Sequence, residues 1–354
     1  MADGELTDGL YTEEELQLAA RNRGMPLEGL AYELTPTGIH YLLVHFDIPL
    51  IDPTTWRLEI GGNVERAISL GLDEIRSFTP TTIAVTMECA GNGRTRMSPR
   101  ALSQPWILEA IGTAEWTGVP LRDVLSRAAI KPDTVELVFT GADHGVQGDI
   151  EQDYARSLTI DDALRPEVLL AYEMNGRQLE PQHGAPLRLL VPGWYGMTSV
   201  KWLTRVDAVT EAFQGWQQAV AYRDTQTEDD PGVPVQRIKV RALMIPPGFP
   251  DFPARHRLLD AGMVTLRGRA WSGRGEIARV EVGIDGRWHD ARLDDPLGPF
   301  AWRGWSYEWK TKAGTYELSC RATDATGDVQ PIEARWNTQG LANNLVQTLS
   351  VTVR

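Results

Sequence analysis

One of only two cysteines in 354 residues, Cys89, stands in the stretch VTMECAGNGRTRM, Val85 to Met97. A strand-like run precedes it, a glycine-rich turn follows, and Arg94, Arg96 and Arg100 lie close behind. Glycines let a backbone approach a ligand closely. Guanidinium groups stabilise nearby negative charge, so this setting is expected to lower the thiol pKa and favour thiolate. Zinc would need several Cys or His at ligand spacing, which the sequence does not supply. A nucleophilic cysteine would need a partner histidine, and His45, His144 and His183 are available. A third role is to complete the sphere of a soft metal held mainly by an organic cofactor. The bland alternative is a buried small hydrophobe. It suits Cys320, which shares an alternating face with Tyr316, Leu318 and Ala322.

Composition narrows the partners. A formal net charge of −13 argues against nucleic acid, whose binding rests on Lys and Arg contacts to phosphate. It also means that any anion chemistry must come from a local basic pocket. No apolar run approaches the roughly 20 residues of a membrane span. The opening MADGELTDGLYTEEEL lacks a basic n-region and an apolar h-region, and with two cysteines this reads as a cytoplasmic protein.

The elements that must position Cys89 can be read in outline. Thr12 with Glu15 forms a capping box before ELQLAARNR, and Gly24 follows as a C-terminal stop. HYLLVHFDIP reads as a strand ending at Pro49, and Trp56 to Ile60 as another before Gly61-Gly62. Thr82 to Met87 alternates, which predicts a half-buried strand ending just before the cysteine. Thr159 caps a short helix over IDDAL, and LLAYEMNG and PLRLLVPG are two more strands. The stretch DTQTEDDPGVP from Asp224 is acidic and turn-rich, a linker signature. Beyond it, VTLRGRAWSG, ARVEVGIDG, TYELSCRATD and LVQTLSVTVR are short strands separated by turns such as Asp285-Gly286. That pattern predicts an immunoglobulin-like β-sandwich.

MECAGNGR closely resembles the cysteine motif of the sulfite oxidase family of molybdenum enzymes. HYLLVHFDIP, IGTAEWTGVPLRDVL, EVLLAYEMNGRQLEPQHGAPLRLLVPGWYGMTSVKWL and the segments from GRAWSGRGEIARVEVGIDG to WNTQGLANN resemble further parts of that family. The resemblance covers about residue 30 to the end, too broad for a chance motif. It implies an α+β protein with an N-terminal helical extension over 1–30. A mixed α/β molybdopterin-binding domain follows over 31–232, then an immunoglobulin-like dimerisation domain over 233–354. Cys89 is then the single protein ligand to a molybdenum carried by molybdopterin. His45, Asp143, His183, Arg188 and Lys201 fall at pterin-contacting positions. Arg94 falls beside the oxyanion pocket, Trp106 at its wall, and Tyr222 at the active-site tyrosine, with Arg223 a mere neighbour. Arg188, a charge inside the apolar PLRLLV run, must be paired or sit at an edge.

Two departures bear on the substrate. Leu43 stands where the family carries a substrate-holding arginine, and Gly93 where the motif has the first arginine of its pair. Each lost charge-assisted contact would cost about 1.5–3 kcal/mol. The expected activity is oxidation of sulfite to sulfate by a homodimer that passes electrons to a separate acceptor. No haem is expected, since no Cys-x-x-Cys-His occurs. The alternatives are reduction of S-oxides or N-oxides at the same centre, a non-catalytic pterin-binding module, and a metal-free cysteine hydrolase.

Overall fold

A computed structural model describes residues 6–7, 11–227, 229–333 and 335–354. Two five-stranded sheets build the first domain. In one, Thr81–Glu88, Ile111–Pro120 and Leu169–Met174 run antiparallel, and both Arg177–Gln178 and Arg188–Leu190 pair with the last of these. The other runs Ile68–Leu70, Leu58–Gly62, Leu203–Val209, Glu136–Gln147, Ile150–Thr159, with a single parallel pair between Leu58–Gly62 and Leu203–Val209. Leu58, Ile60, Leu137, Phe139, Leu170, Leu189 and Val206 fill the core beneath them. The alternation in Thr81–Glu88 puts Val85 and Met87 inward, and the strand ends one residue before Cys89.

The second domain is the expected sandwich, a four-stranded sheet on a six-stranded one. Val280, Val282, Leu318, Cys320 and Ala322 meet Leu266, Trp305 and Trp309 in its core. Cys320 is fully buried and burial pushes its thiol pKa up, as befits a core residue. Asp285 and Gly286 both take positive φ in the turn after Ile277–Ile284. The acidic linker folds back on itself, since Arg223–Asp224 pairs with Val233–Pro234.

The two domains share a core. Met25 and Leu30 pack with Tyr195, Met197, Trp271, Trp302 and Leu341 in one cluster. Phe300 accepts from the Thr86 amide at 2.8 Å, and the Trp302 amide donates to the Thr86 hydroxyl at 2.7 Å. The second domain thereby covers the edge of the strand that leads to Cys89.

The local reading fails in two places. The helix Glu13–Arg21 has the expected Thr12–Glu15 box, but Asn22 caps its end, and Gly24 instead lies against Glu109. HYLLVHFDIP is no strand beyond one bridge, Leu42 to Arg23. Its polar backbone groups go elsewhere: the Val44 amide to Asn22 Oδ1 at 2.8 Å, the Leu43 carbonyl to Lys201 Nζ at 2.7 Å. Its apolar run produced the strand signal, but these residues line cavities on two sides. Among the described residues no helix is long and apolar enough to cross a membrane.

Candidate active site

Cys89 sits where two cavities meet. A recess of about 50 Å³ is lined by His40, Tyr41, His183, Arg188 and Lys201. A wider cavity of about 370 Å³ is lined by Arg94, Trp106, Gln147, Gly148 and Tyr222. Leu43, His45 and Cys89 border both. The sulfur is therefore not sealed in hydrocarbon, although Cys89 is only 7% exposed.

The loop carrying the sulfur is held from several directions. The Cys89 amide donates to the Ala110 carbonyl at 2.9 Å, and its carbonyl accepts from Asn92 at 3.0 Å. From the second domain, the Ala342 amide donates to the Ala90 carbonyl at 2.7 Å, and Asn343 Nδ2 to the Gly93 carbonyl at 2.7 Å. Directly before the cysteine, Glu88 is fully buried and accepts from Asn92 Nδ2 at 3.0 Å and Trp271 Nε1 at 2.8 Å. Arg241 Nε lies 3.0 Å from Glu88 Oε1, an ion pair across the domain boundary.

The expected thiol acidity is not met by the protein alone. Burial raises the Cys89 pKa, and the Gly91 amide, Arg94 and the Trp106 indole only partly offset it. Arg96 is exposed, and Arg100 is committed to Glu15 through contacts of 3.1 and 2.8 Å. Of the three arginines near the motif, Arg94 is the one that lines the cavity. A coordinating metal, if bound there, would strip the proton from such a thiol.

Arg94 is buried, with Nη1 on the Gln104 carbonyl at 2.9 Å and Nε on the Gln339 carbonyl at 3.2 Å. Tyr222 faces the same cavity, and its hydroxyl lies 2.5 Å from His45 Nε2. Its backbone holds a positive φ of 60°, anchored by the amide on Gln339 Oε1 at 3.0 Å. Arg223 points away and holds the Gly232 carbonyl, as a neighbour would. Gly93 needs its φ of +90°, and a Cβ there would face the Asn343 carbonyl at 3.1 Å. It does not border the cavity, so a charge expected to be missing at Gly93 is missing from the domain contact instead. Leu43 does border it, on both sides.

The recess is lined by cations and by no carboxylate, although Asp143 is near enough to lend Lys201 some support. Arg188 donates to the carbonyls of His183 at 2.9 Å and Ser199 at 3.0 Å and stacks 4.9 Å from the Trp116 ring. Its strand pairs with a single neighbour, yet the charge is buried rather than exposed at that edge, and burial drops its pKa to about 10. Lys201 donates to the Leu43 carbonyl, and burial beside Arg188 brings its pKa down to about 7. Burial holds His183 and His45 neutral, each at about 3. Burial raises Asp143 to about 6, and its Oδ1 finds no hydrogen-bond partner. Sequence reasoning passed over His40, Tyr41, Tyr154, Arg156 and Glu88. His40 and Tyr41 lay in plain view in the HYLLVHFDIP segment, whereas the buried charges at 88 and 156 carry no local signature.

Residues 45–217 match the oxidoreductase molybdopterin-binding domain family, and residues 236–353 the Mo-co oxidoreductase dimerisation domain. The chain is 35% identical over 346 residues to mitochondrial sulfite oxidase of Homo sapiens, covering 90% of this chain and 62% of that protein. It is 36% identical to sulfite oxidase of Gallus gallus over 349 residues, covering 90% of this chain and 73% of the relative. The chain thus spans about 62% of the length of its mammalian relatives. Among solved structures, the sulfane dehydrogenase SoxCD from Paracoccus pantotrophus superposes with a TM-score of 0.82 at 27% identity, covering 99% of this chain and 95% of that one.

Proposed function

Since the chain belongs to the sulfite oxidase family of molybdopterin-binding oxidoreductases, we propose that it oxidises sulfite to sulfate and passes the electrons to a separate acceptor. The carrying observation is the place of Cys89, its sulfur shared between a cationic recess and a cavity holding Arg94 and Tyr222. The recess fits an anionic pterin cofactor. Arg188 and Lys201 have no acidic partner within ion-pair distance among the described residues, and Asp143 Oδ1 is an orphaned buried acceptor for a pterin donor.

His45, Asp143, His183, Arg188 and Lys201 would hold the pterin and its phosphate, and Cys89 would ligate the metal. When bound, the molybdenum cofactor supplies oxygen-atom transfer, by which sulfite and water give sulfate, two protons and two electrons. The protein supplies position and field. Arg94 places positive charge where the oxyanion sits. Trp106 walls the cavity and keeps water from the sulfur side. Tyr222 offers a phenol to an anion oxygen, and His45, held neutral, orients that hydroxyl through its Nε2 contact. The dimerisation domain carries the homodimer in this reading.

Leu43 favours a second reading, reduction of neutral S-oxides, because an apolar wall suits an uncharged substrate. Assays of the metal-loaded protein with sulfite plus ferricyanide, beside a sulfoxide plus reduced viologen, separate the two. Turnover in the second alone would overturn the sulfite proposal. Cys89→Ser is expected to keep pterin on elemental and fluorescence analysis while losing nearly all turnover; unchanged turnover would refute the ligand assignment.

A further inference from the structure

Arg156, on the strand Ile150–Thr159, is 2% exposed and makes no ion pair among the described residues. Its Nη1 donates to the Gln217 carbonyl, and its Nε finds no acceptor. Burial depresses its pKa, and the groups that oppose this are the Tyr154 and Tyr222 phenols. The guanidinium carbon lies 5.6 Å from the centroid of the Tyr222 ring. Tyr222 in turn reaches His45, and His45 stacks on Tyr154 with ring centroids 4.6 Å apart. Arg156 therefore stands behind the aromatic wall of the cavity whose floor is Cys89.

A buried cation without a countercharge is unfavourable unless an anion comes within its field. The cavity wall contributes Arg94 as a contact cation, and Leu43 contributes none. We propose that Arg156 is the second positive charge of this oxyanion site, acting through Tyr222 rather than by touching the substrate. A cation over the ring face polarises the phenol, which makes its hydroxyl the stronger donor to an anion in the cavity. The wall separates charge from anion but keeps water out, so the field is weakly screened. Leu43 removes a contact charge at one border of the cavity, and Arg156 returns part of it at another. As a positioning residue, it should bear on anion affinity and leave the chemical step largely alone.

The proposal rests on the reading of this cavity as an oxyanion site. The test uses the cofactor-loaded protein with sulfite as substrate and sulfate as competing anion. Arg156→Gln is expected to raise both the KM for sulfite and the inhibition constant of sulfate about tenfold, with kcat within about threefold of wild type. Arg156→Lys, which keeps the charge and gives up the fork, is expected to stay within about threefold on all three. Unmoved KM and sulfate constants in Arg156→Gln, with only its melting temperature changed, would overturn the proposal. Should that variant not fold, Arg156→Lys decides by itself, since a tenfold rise with the charge retained would exclude charge as the agent. Wild type that binds neither anion would instead sink the sulfite reading, a distinct failure.

Discussion

Arg241 and Arg188 are both buried arginines near Cys89, at 1% and 5% exposure, yet their surroundings differ in one respect. Arg241 comes from the second domain and meets Glu88, a carboxylate just as buried. Arg188 rests on the carbonyls of His183 and Ser199 and on the Trp116 ring, which give dipoles but no negative charge. The first charge is balanced by the chain itself and ties the domains together beside the catalytic loop. The second is balanced only when something anionic arrives. Countercharge therefore sorts the buried cations of this protein into those that serve the fold and those that serve a ligand.

The comparison can be broken by removing each cation. Arg241→Met leaves Glu88 buried without its partner, and a loss of about 3–5 kcal/mol in denaturant unfolding is expected. Replacing Glu88 by Gln in the same protein should recover much of that, because the neutral amide keeps contacts to Asn92 and Trp271. A single variant as stable as wild type would remove the pair from the account.

Acid tests the recess. Burial holds His40 at about 4 and His183 at about 3, both below their unfolded value. The unfolded chain then binds protons first as pH falls, so stability is full above about pH 6.5 and is lost on the way down. At pH 5 each of the two is expected to cost about 2 kcal/mol in the cofactor-free protein, and half-buried His45 less. Unfolding curves that coincide at pH 7 and pH 5 would contradict this.

The smallest expected change is the most telling. Arg188→Met should destabilise the cofactor-free protein by only about 1–3 kcal/mol, because it strands the carbonyls of His183 and Ser199 but no charge. Its pterin content should nonetheless fall, as measured by fluorescence after oxidative release. A destabilisation as large as that of Arg241→Met would erase the distinction between the two arginines.

Much of the fold was legible locally. Alternation located Thr81–Glu88 and the sandwich strands, because one side of each faces a core and the period of two records it. The Thr12–Glu15 box located the first helix, since a cap is a contact three residues long. HYLLVHFDIP misled because an apolar run that borders two cavities looks like a buried strand, without a neighbouring strand to pair with. Arg96 and Arg100 looked like parts of a thiolate site, but one turns to solvent and the other to Glu15, 85 residues away in sequence. Resemblance carried the pterin residues. Local physics alone left Arg188 open between an edge charge and a ligand.

By itself the sequence determined that a cysteine would follow a strand and precede a glycine turn, with arginines close behind and a β-rich second half. Those are short-range matters of backbone freedom and alternation. Only the tertiary structure decided that this thiol is not acidic unaided, that Glu88 and Arg241 cancel each other, and that Arg188 and Arg156 remain unbalanced. In a weakly polarisable interior the energy of a charge is set by what lies within a few ångströms, and here those neighbours come from far along the chain.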